Sequence, residues 1–229
     1  MSSKVLITGA TSGFGIHLSR AFLDKGFSLV AHGTEMKKLT ALKAAFAKKS
    51  ADKIEVLAAD MRSDEGLRTL KRRIASGDIR VLVNNAGVNP ELRGDPVNRD
   101  DIFRINATAP TELSVEFFKH CGKHGGAVFN INSVAGLRGS AHEPLYAASK
   151  SALREFSESV KDAWLKKGVR VIDVYSGALA AGMSSGRSDF SSLIDPKELA
   201  EFLASIIDTK SFFVRDISLQ KTARAKGKK

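Results

Sequence analysis

Tyr146 and Lys150 stand four residues apart in Leu145-Tyr146-Ala147-Ala148-Ser149-Lys150, a spacing that puts both on one face of a helix. A cation beside a phenol favours the phenolate. At ~5 Å and an effective dielectric of ~20 the interaction is about 3 kcal/mol. That is roughly 2 pKa units, taking a tyrosine from ~10 towards ~8, with burial acting against it. Ser133, upstream in Ile131-Asn132-Ser133, adds a hydroxyl. The chemistry these types offer is proton transfer at a carbonyl or alcohol. Tyr-x-x-x-Lys alone is a common coincidence in a lysine-rich chain, where a packed Tyr and a snorkelling Lys would do. The elements around it decide its meaning.

Short β-rich runs alternate with amphipathic stretches. Strands are expected at 4–8, 27–32, 54–59, 79–84, 127–132, 169–175 and 212–219, and helices near 14–25, 36–49, 63–76, 98–121, 144–167 and 195–207. Most strands are continuous apolar runs, as when both sheet faces are covered. The alternation predicts an α/β fold: a Rossmann-like doubly wound parallel sheet of about seven strands, with helices on both faces in a three-layer sandwich. Residues 1–220 read as one nucleotide-binding domain and 221–229 as a basic tail.

The first strand runs into Thr8-Gly9-Ala10-Thr11-Ser12-Gly13-Phe14-Gly15. Glycines permit a tight turn and close backbone approach, and the helix that follows offers free N–H groups to a phosphate. The spacing differs from G-x-G-x-x-G. Its place, at the first strand-to-helix junction, is where a doubly wound fold holds a dinucleotide.

With these motifs in order, the chain resembles the short-chain dehydrogenase/reductase family over about residues 4–220. The family's Thr-Gly-x-x-x-Gly-x-Gly matches Thr8 to Gly15, and its acid after the third strand matches Asp60. Its Asn-Asn-Ala-Gly matches Asn84 to Gly87, and its helix asparagine matches Asn106. Its Ser, Tyr and Lys match Ser133, Tyr146 and Lys150.

The resemblance implies hydride transfer between a nicotinamide and a carbonyl or secondary alcohol. Tyr146 would be acid or base, and Ser133 would hold the reacting oxygen. Lys150 would bind the nicotinamide ribose, and Asn106 would anchor a water beyond it. The cofactor would lie against Gly9, Thr11, Ser12, Gly13, Phe14, Gly15, His32, Gly33, Thr34, Asp60, Met61, Asn85, Ala86, Gly87, Tyr146, Lys150, Gly177 and Leu179.

Two positions depart from the family pattern. Ser176 replaces a proline, and Ala181 stands where a threonine would bond the nicotinamide amide. The segment from Gly182 to Phe190 is also short, which predicts an open or shallow pocket.

At the end of the second strand Gly33 and Thr34 replace the acid that holds a ribose diol and the arginine that holds a 2′-phosphate. His32, Lys37, Lys38 and Arg62 stand nearby. The balance favours NADP(H), with NAD(H) as the alternative. Asn89, Arg138, His142 and Arg187 are the substrate-side candidates, the arginines suiting an anionic group. No cluster has metal-ligand spacing.

The formal net charge is +11. The tail carries five basic residues and no acid; without it 31 basic residues face 25 acidic ones, leaving +6. It has no aromatic residue for base stacking, so a solvated tail is expected rather than nucleic-acid binding. A single cysteine, Cys121, excludes an intrachain disulfide and suits a reducing compartment. No apolar run approaches the ~20 residues of a membrane span, and the chain opens directly into a strand. A cytoplasmic location is expected. Phe117, Phe118, Phe156 and Trp164 look exposed on two helices that pair across a dimer interface in this family, so a homodimer or homotetramer is expected. Two other function classes compete: a nucleotide-sensing regulator with little turnover, and an anion- or RNA-binding protein acting through the tail.

Overall fold

The computed structural model describes residues 3–222 apart from 95, 97, 122–124, 186, 187 and 210. Seven parallel strands form one sheet: β1 (Lys4–Ile7), β2 (Ser28–Gly33), β3 (Ile54–Ala58), β4 (Ile79–Asn84), β5 (Gly126–Ser133), β6 (Val169–Ser176) and β7 (Asp216–Leu219), in the order β3-β2-β1-β4-β5-β6-β7. The order reverses between β1 and β4. Their C-terminal ends therefore open a crevice there, as doubly wound sheets do.

Alternate strand residues feed two cores, one on each face of the sheet. Val5, Ile7, Val81, Val83, Phe129 and Val174 pack with Leu18 and Phe22 of α1 (Gly13–Asp24) and Leu199 and Leu203 of α8 (Pro196–Ser205). Leu39 of α2 (Met36–Ser50) joins this side. Leu6, Val30, Leu82, Val128 and Val171 meet Leu70 of α3 (Asp64–Ala75), Phe117 of α5 (Ala109–His120) and Trp164 of α7 (Pro144–Leu165).

The expected helix at 98–121 is divided. It comprises α4 (Arg99–Phe103), a π-type segment Arg104–Thr108, and α5. The break has a local cause: Pro110 has no N–H to give to the Asn106 carbonyl, so the i→i−4 ladder fails there. A short α6 (Ala135–Arg138) was not foreseen. β7 is shorter than expected. It pairs with β6 only from Asp173↔Asp216 onward, leaving Phe212 and Phe213 exposed.

The aromatic residues of α5 and α7 are not a free surface. Phe117 and Trp164 are buried. Phe118 stacks on Trp164 at 4.5 Å and 7°, and Phe156 meets it edge-on at 5.9 Å. They join two helices of the same chain.

Candidate active site

The crevice at the switch point is a cavity of about 860 Å³. One end is the glycine loop. Gly9 has φ +64°, the left-handed region. A Cβ at Gly15 would stand 2.1 Å from the Gly9 carbonyl oxygen, so only glycine lets α1 start against the turn. Ser12 caps α1 by accepting from the Gly15 N–H at 3.1 Å, and no acidic residue lies in that first turn. The uncompensated helix N-terminus suits an anion. The loop is tied across the switch point. Thr8 Oγ1 accepts from the N–H groups of Asn85 and Ala86, both at 3.0 Å, and Asn85 Nδ2 donates to the carbonyls of Thr8 (2.9 Å) and Gly9 (3.1 Å).

Next to the loop, His32 is buried, with both ring nitrogens engaged. Nε2 donates to the Ala59 carbonyl at 3.0 Å and Nδ1 accepts from the Gly9 N–H at 3.4 Å. Burial lowers its pKa. It therefore braces the glycine loop against β3 and does not offer a cation, which corrects the expectation that it would meet a phosphate. Gly33 leaves Thr11 Oγ1 only 3.1 Å from where a Cβ would stand. Asp60 holds Arg62 bidentately at 2.7–3.1 Å. That hydrogen bonding keeps the carboxyl below its ordinary range. Lys38 pairs with Glu35 at 2.5 Å.

At the other end, Tyr146 and Lys150 project from α7. Both are buried, at 9% and 4% exposure. Ser133 Oγ, in the strand end beside the phenol, accepts from the Ala135 N–H at 3.1 Å. Lys150 Nζ lies 5.8 Å from the centroid of the tyrosine ring and donates to the Ile131 carbonyl at 2.8 Å. Burial outweighs the fall in the phenol pKa that the spacing predicts and pushes Tyr146 up to about 12; the Ser133 hydroxyl opposes this and the Glu143 charge adds to it. Burial likewise brings Lys150 down to about 8, against the attraction of Asp173.

Asn106 is fully buried in the π-type segment. Its Oδ1 accepts from Val88 N–H at 2.9 Å. Its Nδ2 donates to the Val88 carbonyl at 2.8 Å and to Ser149 Oγ at 3.1 Å. It ties the segment after β4 to α7 from behind the cavity wall. Gly87 fills the gap between it and the lysine: a Cβ there would lie 3.3 Å from Asn106 Oδ1 and 3.6 Å from Lys150 Nζ.

Of the cofactor-side residues expected from sequence, all line the cavity except Gly15 and Gly177. Gly15 packs under the loop instead. Gly177 donates its N–H to the Leu219 carbonyl at 2.9 Å, outside the wall. Ser176 ends β6 between Ser133 and Leu219, which shows what the missing proline permits: an unbroken strand end. Ala181 and Gly182 lie over the glycine loop, so a Cβ at Gly13 would stand 2.5 Å from the Gly182 nitrogen.

Of the substrate-side residues, Asn89 lines the cavity. Arg138 and His142 are exposed and do not. Arg187 lies outside the described residues. Sequence reasoning missed Asn132, which donates to the Lys150 carbonyl at 3.3 Å, and Glu91. No local spacing marks these contacts. Away from the cavity, Glu158, Asp173 and Asp216 converge on the Lys161 ammonium at 2.5–2.8 Å.

Fold and cavity define a dinucleotide-dependent oxidoreductase. A family model described as short chain dehydrogenase matches residues 3–191, and the chain belongs to that family. It is 30% identical over 196 residues to the 3-oxoacyl-[acyl-carrier-protein] reductase FabG of Haemophilus influenzae, covering 82% of this chain and 79% of that one. It is 28% identical to the nodulation protein G of Rhizobium sp. (strain N33), covering 81% and 77%. Its likeness to a metagenomic short-chain oxidoreductase solved in complex with NADP has a TM-score of 0.80 at 25% identity, covering 97% of this chain and 99% of that one. No helix of the described residues is long and apolar enough to cross a membrane.

Proposed function

We propose that the protein is an NADP(H)-preferring carbonyl reductase or alcohol dehydrogenase with Tyr146 as its acid and base. One observation carries this reading: a buried phenol and a buried ammonium line the same cavity as the glycine loop. The cradle fits a dinucleotide, because Gly9, Gly13 and Gly15 leave no room for side chains where the loop must stay close. When bound, the nicotinamide supplies or accepts the hydride.

The chain's own residues supply the rest. The helix N-terminus at Ser12–Gly15 would hold a phosphate of the dinucleotide. Lys150 Nζ, anchored on the Ile131 carbonyl, would hold its nicotinamide ribose. Ser133 orients the substrate oxygen by a hydrogen bond. Tyr146 protonates that oxygen in reduction and takes the hydroxyl proton in oxidation. At neutral pH the phenol is protonated, the form a general acid needs. Asn106 fixes the wall behind the lysine. Gly33 brings no carboxylate to repel a 2′-phosphate, and Arg62 and Lys38 border the cavity there. Each would exchange its intramolecular carboxylate for that phosphate. The NADP-bound structural relative supports the same preference.

Ketones, aldehydes and β-keto thioesters assayed by NADPH and by NADH consumption test the reading. NADPH-dependent turnover of at least one carbonyl, lost in Tyr146→Phe while cofactor still binds, is the expected result. Near-normal turnover in that variant would sink the acid/base assignment.

A further inference from the structure

We propose that Glu91 is the positioning residue for Tyr146: a distant carboxylate that takes the free N–H groups at the start of the catalytic helix. The inference rests on the acid/base reading of Tyr146.

The argument is an accounting of orphan donors. An α-helix leaves its first N–H groups without intrahelical partners, and a side chain at the N-cap ordinarily takes one or two of them. In α7 the N-cap is Glu143, and its side chain makes no cap bond. Pro144 follows at the first helical position and has no N–H. The orphans that remain are Leu145 and Tyr146. Both go to Glu91, with Oε1 accepting from Leu145 N–H at 3.3 Å and Oε2 from Tyr146 N–H at 2.9 Å. A carboxylate at this end also complements the helix dipole.

The local residue is diverted elsewhere. Glu143 Oε2 accepts from Asn89 Nδ2 at 2.5 Å, and Asn89 Oδ1 accepts from the Leu92 N–H at 3.3 Å. The segment from Val88 to Glu91 thus has three fastenings: Val88 on Asn106, Asn89 on Glu143, and Glu91 on the backbone of Tyr146 itself. The same segment walls the cavity through Val88, Asn89 and Pro90. The height of the phenol along α7 is set from the cavity side, by a contact 55 residues away in sequence.

The test uses Glu91→Ala and Glu91→Gln in the full chain, with Tyr146→Phe alongside. Steady-state kinetics would use NADPH and a ketone that the unmodified protein reduces. Absorbance titration of the phenol would be run in a Tyr175→Phe background. Loss of a helix cap of this kind corresponds to a roughly tenfold change. Glu91→Ala is expected to lower kcat roughly tenfold while KM for NADPH stays within about twofold. Its phenol should ionise at lower pH as the helix start loosens and water reaches the ring. Glu91→Gln keeps an oxygen acceptor and is expected to retain most of kcat; it carries the test if the alanine variant does not fold. A lowered melting temperature with unchanged kcat, or a phenol titration that does not move, would overturn the proposal. Full activity in Tyr146→Phe would instead overturn the acid/base reading, and the phenol titration would still report on Glu91.

Discussion

The Lys150 ammonium lies 5.8 Å from the centre of the Tyr146 ring and gives its hydrogen bond to the Ile131 carbonyl. The two residues share a helix face, but burial governs each of them. The phenol is driven up and the ammonium down.

Spectrophotometric titration reads the first effect. The chain has two tyrosines. Burial raises Tyr146 to about 12, and burial with the Asp173 charge raises Tyr175 further. Neither should ionise near pH 10, where an unperturbed tyrosine does. A full phenolate signal at pH 10.5 would contradict the buried geometry. In kinetics, the reductive rate should not depend on Tyr146 ionisation at neutral pH, while the oxidative rate should climb with pH.

Lys150 is predicted to cost stability. Its folded pKa of about 8 lies below its unfolded value of 10.5. The unfolded chain therefore binds the proton more tightly, and stability rises with pH between those values. The penalty is complete at pH 7. Replacement by methionine should raise stability there by roughly 1–3 kcal/mol, after allowing for the lost Ile131 bond. The gain should disappear towards pH 10.5. Calorimetry at pH 7 and pH 10 checks this; a lower melting temperature for Lys150→Met at pH 7 would refute it.

Gly15→Ala should be destabilising through backbone overlap alone. The new methyl would stand 2.1 Å from the Gly9 carbonyl oxygen and 2.9 Å from the Ala10 Cα. Overpacking of this kind costs about 1–3 kcal/mol. A drop of several degrees in melting temperature, with loss of NADPH binding by fluorescence, is expected. Gly26→Ala probes a different case, since nothing lies within 4 Å and only φ +89° opposes the side chain. NADPH binding should survive there.

Cofactor choice should follow Arg62 and Gly33. Arg62→Ala is expected to raise KM for NADPH about tenfold and leave KM for NADH nearly unchanged. Gly33→Asp should reverse the preference by placing a carboxylate at the ribose. Equal effects of Arg62→Ala on both cofactors would count against a 2′-phosphate contact.

The Lys161 cluster gives a stability test remote from the chemistry. Asp173 is fully buried, and burial pushes it up to about 6 against the pull of Lys161. Lys161→Met leaves that carboxyl without its cation, a change that costs about 3–5 kcal/mol for buried pairs. The double variant Lys161→Met/Asp173→Asn should recover part of the loss in denaturant melts. No recovery would mean that the two groups are not coupled.

Much of this architecture was legible in the sequence. Continuous apolar runs specify strands buried on both faces. Thr8 to Gly15 marks the phosphate-side turn, because only glycines allow α1 to begin against it. The order of Asn84–Gly87, Asn106, Ser133, Tyr146 and Lys150 pointed to one crevice; Asn85, Ala86, Gly87, Tyr146 and Lys150 line it, and Asn106 stands behind its wall. Local pattern did not reveal the break at Pro110, where one missing N–H outweighs a continuous amphipathic signal. Nor did it reveal that His32 spends both nitrogens on its neighbours, that Arg138 and His142 are exposed outside the cavity lining, or that Phe118 and Trp164 stack on each other. These outcomes depend on contacts between residues far apart in the chain. The four-residue spacing of Tyr146 and Lys150 was fixed by sequence alone. Their ionisation was decided by tertiary burial, because desolvation depends on what surrounds a group, and a spacing carries no record of that.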